Sequence, residues 1–195
     1  MDFFTSDLHL GHQSIIKRCS RPFRDTAEMD SVLVQNWNAV VVPKDTVYVL
    51  GDLFFGTVRT PEEYISIIQG LNGKKHLIKG NHDESWMKYV DLSSLSLCFN
   101  EIVDKTTKIR DNNKRGITLG HHPIKEWSNS FEYMIHGHIH NNMDHEALPS
   151  TLSNQKLLNA GVDINDYKPA TFDELVKNND RFKRHAAVFI LGKNR

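Results

Sequence analysis

Val47-Tyr48-Val49-Leu50-Gly51-Asp52 reads as a buried strand that runs into a bend and a single carboxylate. Four consecutive β-prone, mostly apolar residues fit a strand covered on both faces, as strands of parallel sheets are. Outward from this stretch the same unit recurs. Phe3-Phe4-Thr5 leads to Asp7-Leu8-His9, and His76-Leu77-Ile78-Lys79 leads to Gly80-Asn81-His82-Asp83. Ile117-Thr118-Leu119 leads to Gly120-His121-His122-Pro123, and Tyr133-Met134-Ile135 leads to Gly137-His138-Ile139-His140.

Helices fill the gaps in the first half. His12 to Ser20 is expected to be helical with Ile15 and Ile16 on the buried side, and Arg21-Pro22-Phe23 breaks it. Met29, Val32, Leu33, Asn36, Trp37 and Val40 then fall at helical spacing, with Asn36 interrupting the apolar stripe. Thr60-Pro61-Glu62-Glu63 is a capping box with proline at the first helical position, and its helix turns Tyr64, Ile67, Ile68 and Leu71 inward before Asn72-Gly73. In the second half, Glu101 to Arg110 alternates apolar and polar residues, and Asp111 to Lys114 turns the chain. With Ile117-Thr118-Leu119 returning, this predicts an antiparallel hairpin. Lys156 to Gly161 reads as a further strand and Asn141 to Asn154 as a surface loop. Thr171 to Glu174 repeats the capping-box pattern, which predicts a short helix; Ala186 to Leu191 fits strand or helix equally. Strand–helix alternation followed by antiparallel strands predicts a mixed α/β fold, with ligands gathered beyond the carboxyl ends of the strands.

The 195 residues predict a single domain spanning 1–195, and the modest spacing between blocks leaves no room for a separate cap domain. Lys plus Arg equals Asp plus Glu at 24 each, so no bulk positive field favours non-specific nucleic-acid binding. Cys19 and Cys98 lack metal or redox spacing and read as reduced thiols. Neither a signal-peptide pattern nor a stretch of ~20 apolar residues is visible, which predicts a cytoplasmic protein without a membrane partner.

The blocks share one chemistry. Asp, Asn and His supply oxygen and imidazole nitrogen, a donor set that suits Mn, Fe or Zn. Asp7 and His9, two apart, point the same way in extended chain and can reach one ion; His138 and His140 repeat this with two imidazoles. Asp52 has two oxygens and can bridge two cations, while Asn81 offers a neutral carbonyl oxygen. Glycines 51, 80 and 137 permit a sharp bend or a close approach. Two adjacent ions imply phosphate-ester hydrolysis, with a shared hydroxide as the nucleophile for in-line attack. His82 can assist the leaving group, and Asp83 can orient that imidazole. A lone Asp-x-His or Gly-Asp pair is usually a turn or a capped helix start; five blocks in this order are far more specific. Of the other histidines, His76, His136, His145 and His185 are not read as ligands. Trp37 reads as core, and Trp86 and Trp127 as possible walls of a cleft.

Asp-x-His, Gly-Asp, Gly-Asn-His-Asp, His and Gly-His-x-His, spread from Asp7 to His140, resemble the signature of the calcineurin-like metallophosphoesterases. The resemblance implies a four-layer α-β-β-α sandwich of two mixed sheets. It implies one ion on Asp7, His9 and His140, another on Asn81, His121 and His138, Asp52 bridging them, and His82 as the catalytic histidine outside the metal shell. The fourth block is similar to a Ser-His-x-Pro form of small bacterial and phage members with glycine for serine, which favours His121 over His122 as the ligand. Ser6 to His12, Arg21-Pro22-Phe23 and Asn159-Ala160-Gly161-Val162-Asp163 also look like those members. His12 and Arg21 are candidate substrate contacts, against the alternatives that His12 caps its helix and Arg21 pairs with a nearby acid. Asn159 and Asp163 fit structural roles better than catalytic ones. The expected function is a phosphomonoesterase or phosphodiesterase loaded with two divalent ions, Mn²⁺ foremost in vitro, acting on a phosphate ester with nucleotides among the candidates. A nuclease acting on nucleic-acid ends and a non-catalytic scaffold of the same fold are the competing readings.

Overall fold

The computed structural model of the protein describes residues 1–124 and 131–193. In chain order, β1 (Asp2–Thr5) is followed by α1 (Gln13–Arg18), α2 (Thr26–Val40), β2 (Thr46–Val49), α3 (Pro61–Gly70) and β3 (Lys74–Ile78). Then come α4 (Asp83–Met87), α5 (Leu92–Cys98), β4 (Glu101–Val103), β5 (Thr106–Arg110), β6 (Gly116–Gly120) and β7 (Tyr133–His136). The chain continues through α6 (Leu148–Ser153), β8 (Leu157–Asn159), a 3-10 turn at Val162–Ile164, β9 (Ala170–Thr171) and α7 (Phe172–Lys193).

Two mixed sheets result, ordered β4-β3-β2-β1-β9 and β5-β6-β7-β8. In the first, β1 to β4 are parallel and β9 runs antiparallel to β1. In the second, β5 and β6 are antiparallel, while β6, β7 and β8 are parallel. The pleat sorts side chains between two cores. Phe3, Val47, Val49 and Leu77 meet Met29, Leu33 and Trp37 of α2 and Tyr64 and Ile68 of α3. Their neighbours Phe4, Leu50 and Ile78 point the other way, onto Ile117, Leu119, Ile135 and Leu158 of the second sheet. This is the expected sandwich of two mixed sheets. Helices α1 to α5 cover the first sheet, and α7 packs along β8 and β9.

Local signals explain several boundaries. Asp25 caps α2 by accepting from the Glu28 backbone N–H at 2.9 Å, an interaction worth about 1 kcal/mol. Asn36, the polar residue in the α2 stripe, donates to the Tyr167 carbonyl at 3.2 Å. Both halves of the Thr60–Glu63 capping box form at the start of α3.

Four expectations are corrected. Glu101 to Arg110 is not one hairpin strand. It breaks at Asp104-Lys105, β4 joins the first sheet beside β3, and only β5 pairs with β6. The Asn141–Asn154 segment contains α6, which begins at Leu148 with proline in its first turn. The capping box at Thr171 opens a helix of 22 residues rather than a short one, and the ambiguous tail is helical. Trp86 is fully buried between Phe54 and Tyr64 and walls no cleft; Trp127 lies outside the described residues. Among the described residues, no helix is long and apolar enough to cross a membrane.

Candidate metal centre

The parallel strands bring the five blocks to one rim. The Asp7 N–H donates to the Gly51 carbonyl and the His9 N–H to the Asp52 carbonyl, each at 3.0 Å. The Gly137 N–H donates to the His121 carbonyl at 2.9 Å, which ties the fourth block to the fifth. The close approach of the loops requires glycine. Gly51 has φ +86°, and a Cβ there would sit 2.6 Å from the Gly80 Cα. At Gly137 a Cβ would lie 2.6 Å from an Asp7 carboxylate oxygen.

Asp7, His9, Asp52, His138 and His140 all have left-handed backbone, with φ between 51° and 71°. The expectation that Asp7 and His9, or His138 and His140, converge as alternate residues of extended chain is therefore wrong. Each pair converges through two left-handed kinks. That conformation is sparsely populated for residues other than glycine and costs about 1–3 kcal/mol at each position, so the surrounding hydrogen bonds must hold it. Asp and His are among the residues that tolerate it best.

The side chains meet in one cluster. Asp7, His9 and His140 each bring a ligand atom within 4.8 Å of the others, and Asp7, Asp52 and His121 do the same. Asp52 Oδ2 lies 3.4 Å from His9 Nε2 and 3.4 Å from His121 Nε2, midway between the two groups. Its other oxygen accepts the His82 backbone N–H at 2.9 Å. Asn81 Oδ1 is 3.0 Å from His121 Nε2 and 3.1 Å from His138 Nδ1. His121, and not the exposed His122, occupies the position against Asn81 and Asp52; the His122 ring packs edge-on against His138 at 4.1 Å.

The donor set fits divalent cations. His121 Nδ1 donates to the Leu50 carbonyl at 2.8 Å, which leaves Nε2 as the atom aimed at two oxygens. His140 Nδ1 donates to Asp163 at 2.7 Å, which leaves Nε2 toward Asp7 at 3.8 Å. His9 Nε2 is buried without a hydrogen-bond partner. A buried polar atom in that state is costly unless something satisfies it. Lone pairs facing lone pairs need a proton or a cation between them, and oxygen with imidazole is the mixture that binds Mn, Fe and Zn.

Without a cation, protons do this work. Burial works against charge on His121, yet Asp52 and Asp7 outweigh it and raise its pKa to about 9. Burial likewise opposes charge on His140, and Asp7 and Asp163 raise it to about 11. Burial holds His9 well below its ordinary value, and holds His138 down at about 3. At pH 7 the metal-free centre therefore favours protons on His121 and His140, and burial raises the Asp7 carboxyl as well, so a metal must displace protons to enter. Ion uptake at pH 7 should release protons, and the thermal stabilisation by metal should grow as pH rises from 6 toward 9. Calorimetry in buffers of different ionisation enthalpy measures the release; uptake with no proton release contradicts it.

A second ring of side chains supports these. Arg21 was a candidate substrate contact, and the structure rules that placement out. Its guanidinium is buried and saturated. It donates to Asp163 at 2.8 and 3.2 Å, to the Leu8 carbonyl at 2.8 Å and to the Asp7 carbonyl at 2.8 Å. It braces the Asp7–Leu8 kink and fixes Asp163, which in turn orients His140. Asn159 donates to the His140 carbonyl at 2.8 Å. Asp83 does not reach the His82 imidazole as expected. One of its oxygens accepts from the Gly80 and Asp52 N–H groups, both at 2.8 Å; the other accepts from the Leu53 N–H at 3.1 Å and Trp86 Nε1 at 3.0 Å. Either orientation of an amide in Asp83→Asn would set an NH2 against two N–H donors. That variant should lose about 3 kcal/mol of stability in urea denaturation, and a loss under about 1 kcal/mol would contradict the reading.

His82 and His12 line the cleft. His82 stands with its ring 5.3 Å from that of His9. His12 makes no side-chain cap on α1; it stacks on Phe55 at 3.4 Å and meets Ser14 Oγ at 2.8 Å. Burial holds its pKa down at about 4. His145, expected on a polar surface, also lines the cleft, with its ring 5.4 Å from His138. His136 is buried within β7, and His76 pairs with Glu101 at 3.2 Å. Sequence reasoning missed Arg18, Met143 and Phe189 as cleft residues, and Phe55 as the ring on which His12 stacks. None lies in a ligand block; the fold alone brings them to the site.

A family model for calcineurin-like phosphoesterases matches residues 3–142. An uncharacterized protein of Methanocaldococcus jannaschii is 33% identical over 177 residues, which cover 90% of this chain and 89% of the relative. The Gene 66 protein of Mycobacterium phage D29 is 28% identical over 182 residues, 83% of this chain and 87% of that protein. A crystal structure of a protein of unknown function from Aquifex aeolicus superposes with a TM-score of 0.68 at 30% identity, covering 91% of this chain and 98% of that one.

Proposed function

The chain belongs to the calcineurin-like phosphoesterase family, and from that premise we propose that it is a phosphohydrolase that works with two divalent metal ions. Asp7, His9 and His140 would hold one ion and Asn81, His121 and His138 the other, with Asp52 shared between them. The observation that carries this reading is the position of Asp52 Oδ2, equidistant at 3.4 Å from a histidine nitrogen of each group. When bound, such a pair of ions activates water and neutralises charge on a phosphoryl group.

The chain's own residues supply the rest. The Leu50 carbonyl and the Asp163 carboxylate fix the tautomers of His121 and His140, so each keeps Nε2 for the centre. Arg21 and Asn159 hold the kinked backbone that aims Asp7 and His140. His82 stands at the cleft wall outside both ligand groups, where its imidazole can give a proton to the departing oxygen. His12 stands at the cleft wall stacked on Phe55, with its two ring nitrogens engaged by His9 and Ser14. The metals are Mn, Fe or Zn, with Mn²⁺ the first choice in vitro. Two buried, free thiols suit the cytoplasm.

The test is hydrolysis of an aryl phosphate and an aryl phosphodiester by Mn²⁺-loaded protein against a chelated control. Cleavage of at least one above the control is expected. Demonstrable metal binding with neither ester cleaved would overturn the proposal.

A further inference from the structure

The fourth ligand block carries two histidines in succession, and the two-ion reading uses only His121. His121, His122 and His138 each bring a ligand atom within 4.8 Å of the other two, as Asp7, His9 and His140 do. His121 Nε2 and His138 Nδ1 already converge on Asn81 Oδ1, at 3.0 and 3.1 Å. The exposed His122 ring stands edge-on to His138 at 4.1 Å and to His121 at 4.9 Å. A packing role alone would accept any flat ring there. Three imidazoles, however, make a donor set unlike that of the first ion. With His122 the second group offers three nitrogens beside the oxygens of Asn81 and Asp52. The first group offers two, from His9 and His140, beside the oxygens of Asp7 and Asp52. Imidazole nitrogen suits Zn²⁺, whereas carboxylate, carbonyl and water oxygen suit Mn²⁺.

We infer that His122 is a further ligand of the second ion and makes that position prefer Zn²⁺ over Mn²⁺ more strongly than the first position does. The inference rests on the two-ion reading above, though not on hydrolysis.

Competition titrations of the metal-free protein with Zn²⁺ and Mn²⁺ against a chromophoric chelator read the affinity of each ion at each position without turnover. In the natural chain the two positions should differ by about tenfold or more in the ratio of Zn²⁺ to Mn²⁺ affinity. His122→Phe keeps a flat ring against His138 and removes the nitrogens. It should cut the Zn²⁺ affinity of one position by about tenfold or more, while its Mn²⁺ affinity changes less than about threefold. His122→Ala should do the same, should the phenylalanine variant fold poorly. His76→Gln, at a histidine paired with Glu101, should change neither affinity. Two bound ions with equal ratios in the natural chain, with ratios unaltered in both His122 variants, or with both metals weakened alike, overturn the inference and leave the two-ion centre standing. A natural chain that takes up fewer than two ions overturns both. A ratio that depends on His122, with no phosphate ester cleaved, supports the ligand and overturns the hydrolase.

Discussion

Asp52→Asn will lose about a thousandfold or more in kcat and will not hold two ions at once. The carboxylate faces a histidine nitrogen of each ligand group, at 3.4 Å each. An amide keeps the shape and one acceptor but removes the charge that offsets two closely spaced cations. A thousandfold is about 4 kcal/mol of barrier, a modest demand on a group that positions both ions. The same change alters the protons. Asp52 is a main reason that the His121 pKa stands at about 9, so His121 in the variant should lose its proton nearer neutrality. Metal uptake at pH 7 should then release fewer protons than in the natural chain. Two bound ions and near-normal turnover in Asp52→Asn would refute the bridging role.

The second large effect belongs to His82. His82→Ala should retain both ions and lower kcat by about 10²–10⁴, the range for removing a general acid. Its backbone N–H is pinned to Asp52 Oδ1 at 2.9 Å, which places the ring beside the centre without making it a ligand. A proton donor matters most when the departing oxygen is strongly basic. The loss should therefore be large for an alkyl phosphate and much smaller for a nitrophenyl phosphate. Equal losses for the two esters, or loss of an ion from the variant, would remove His82 from the proton-transfer role.

The five strands that deliver the ligand blocks were legible because each couples an apolar run to a polar block. Val47 to Asp52 carries both the buried strand and its ligand in six residues. Period-2 alternation at Glu101 to Arg110 announces extended chain but not which sheet receives it. The break at Asp104-Lys105 follows from which edge is free, β3 or β6, and that is decided by packing. The polar composition of Asn141 to Asn154 concealed α6, whose buried Leu148 joins a small cluster with Ile164 and Phe182.

At the site, residue types and spacing told which groups meet but not how the backbone delivers them. Asp-x-His looks like alternation in a strand, whereas Asp7 and His9 arrive through left-handed kinks that only the folded surroundings can impose. Arg21 carries no local sign of burial. Its partner Asp163 lies 142 positions away, and the cation is tolerated inside because a carboxylate and two carbonyls converge on it. Asp83 was close to His82 in sequence and so invited a pairing. Four N–H donors claim it instead.

Anomalous scattering from crystals soaked in Mn²⁺ tests the centre most directly. Two peaks about 3.5–4 Å apart are predicted, one within bonding distance of Asp7, His9 and His140, the other of Asn81, His121 and His138, with Asp52 touching both. A single peak, or manganese lodged away from Asp52, would contradict the account.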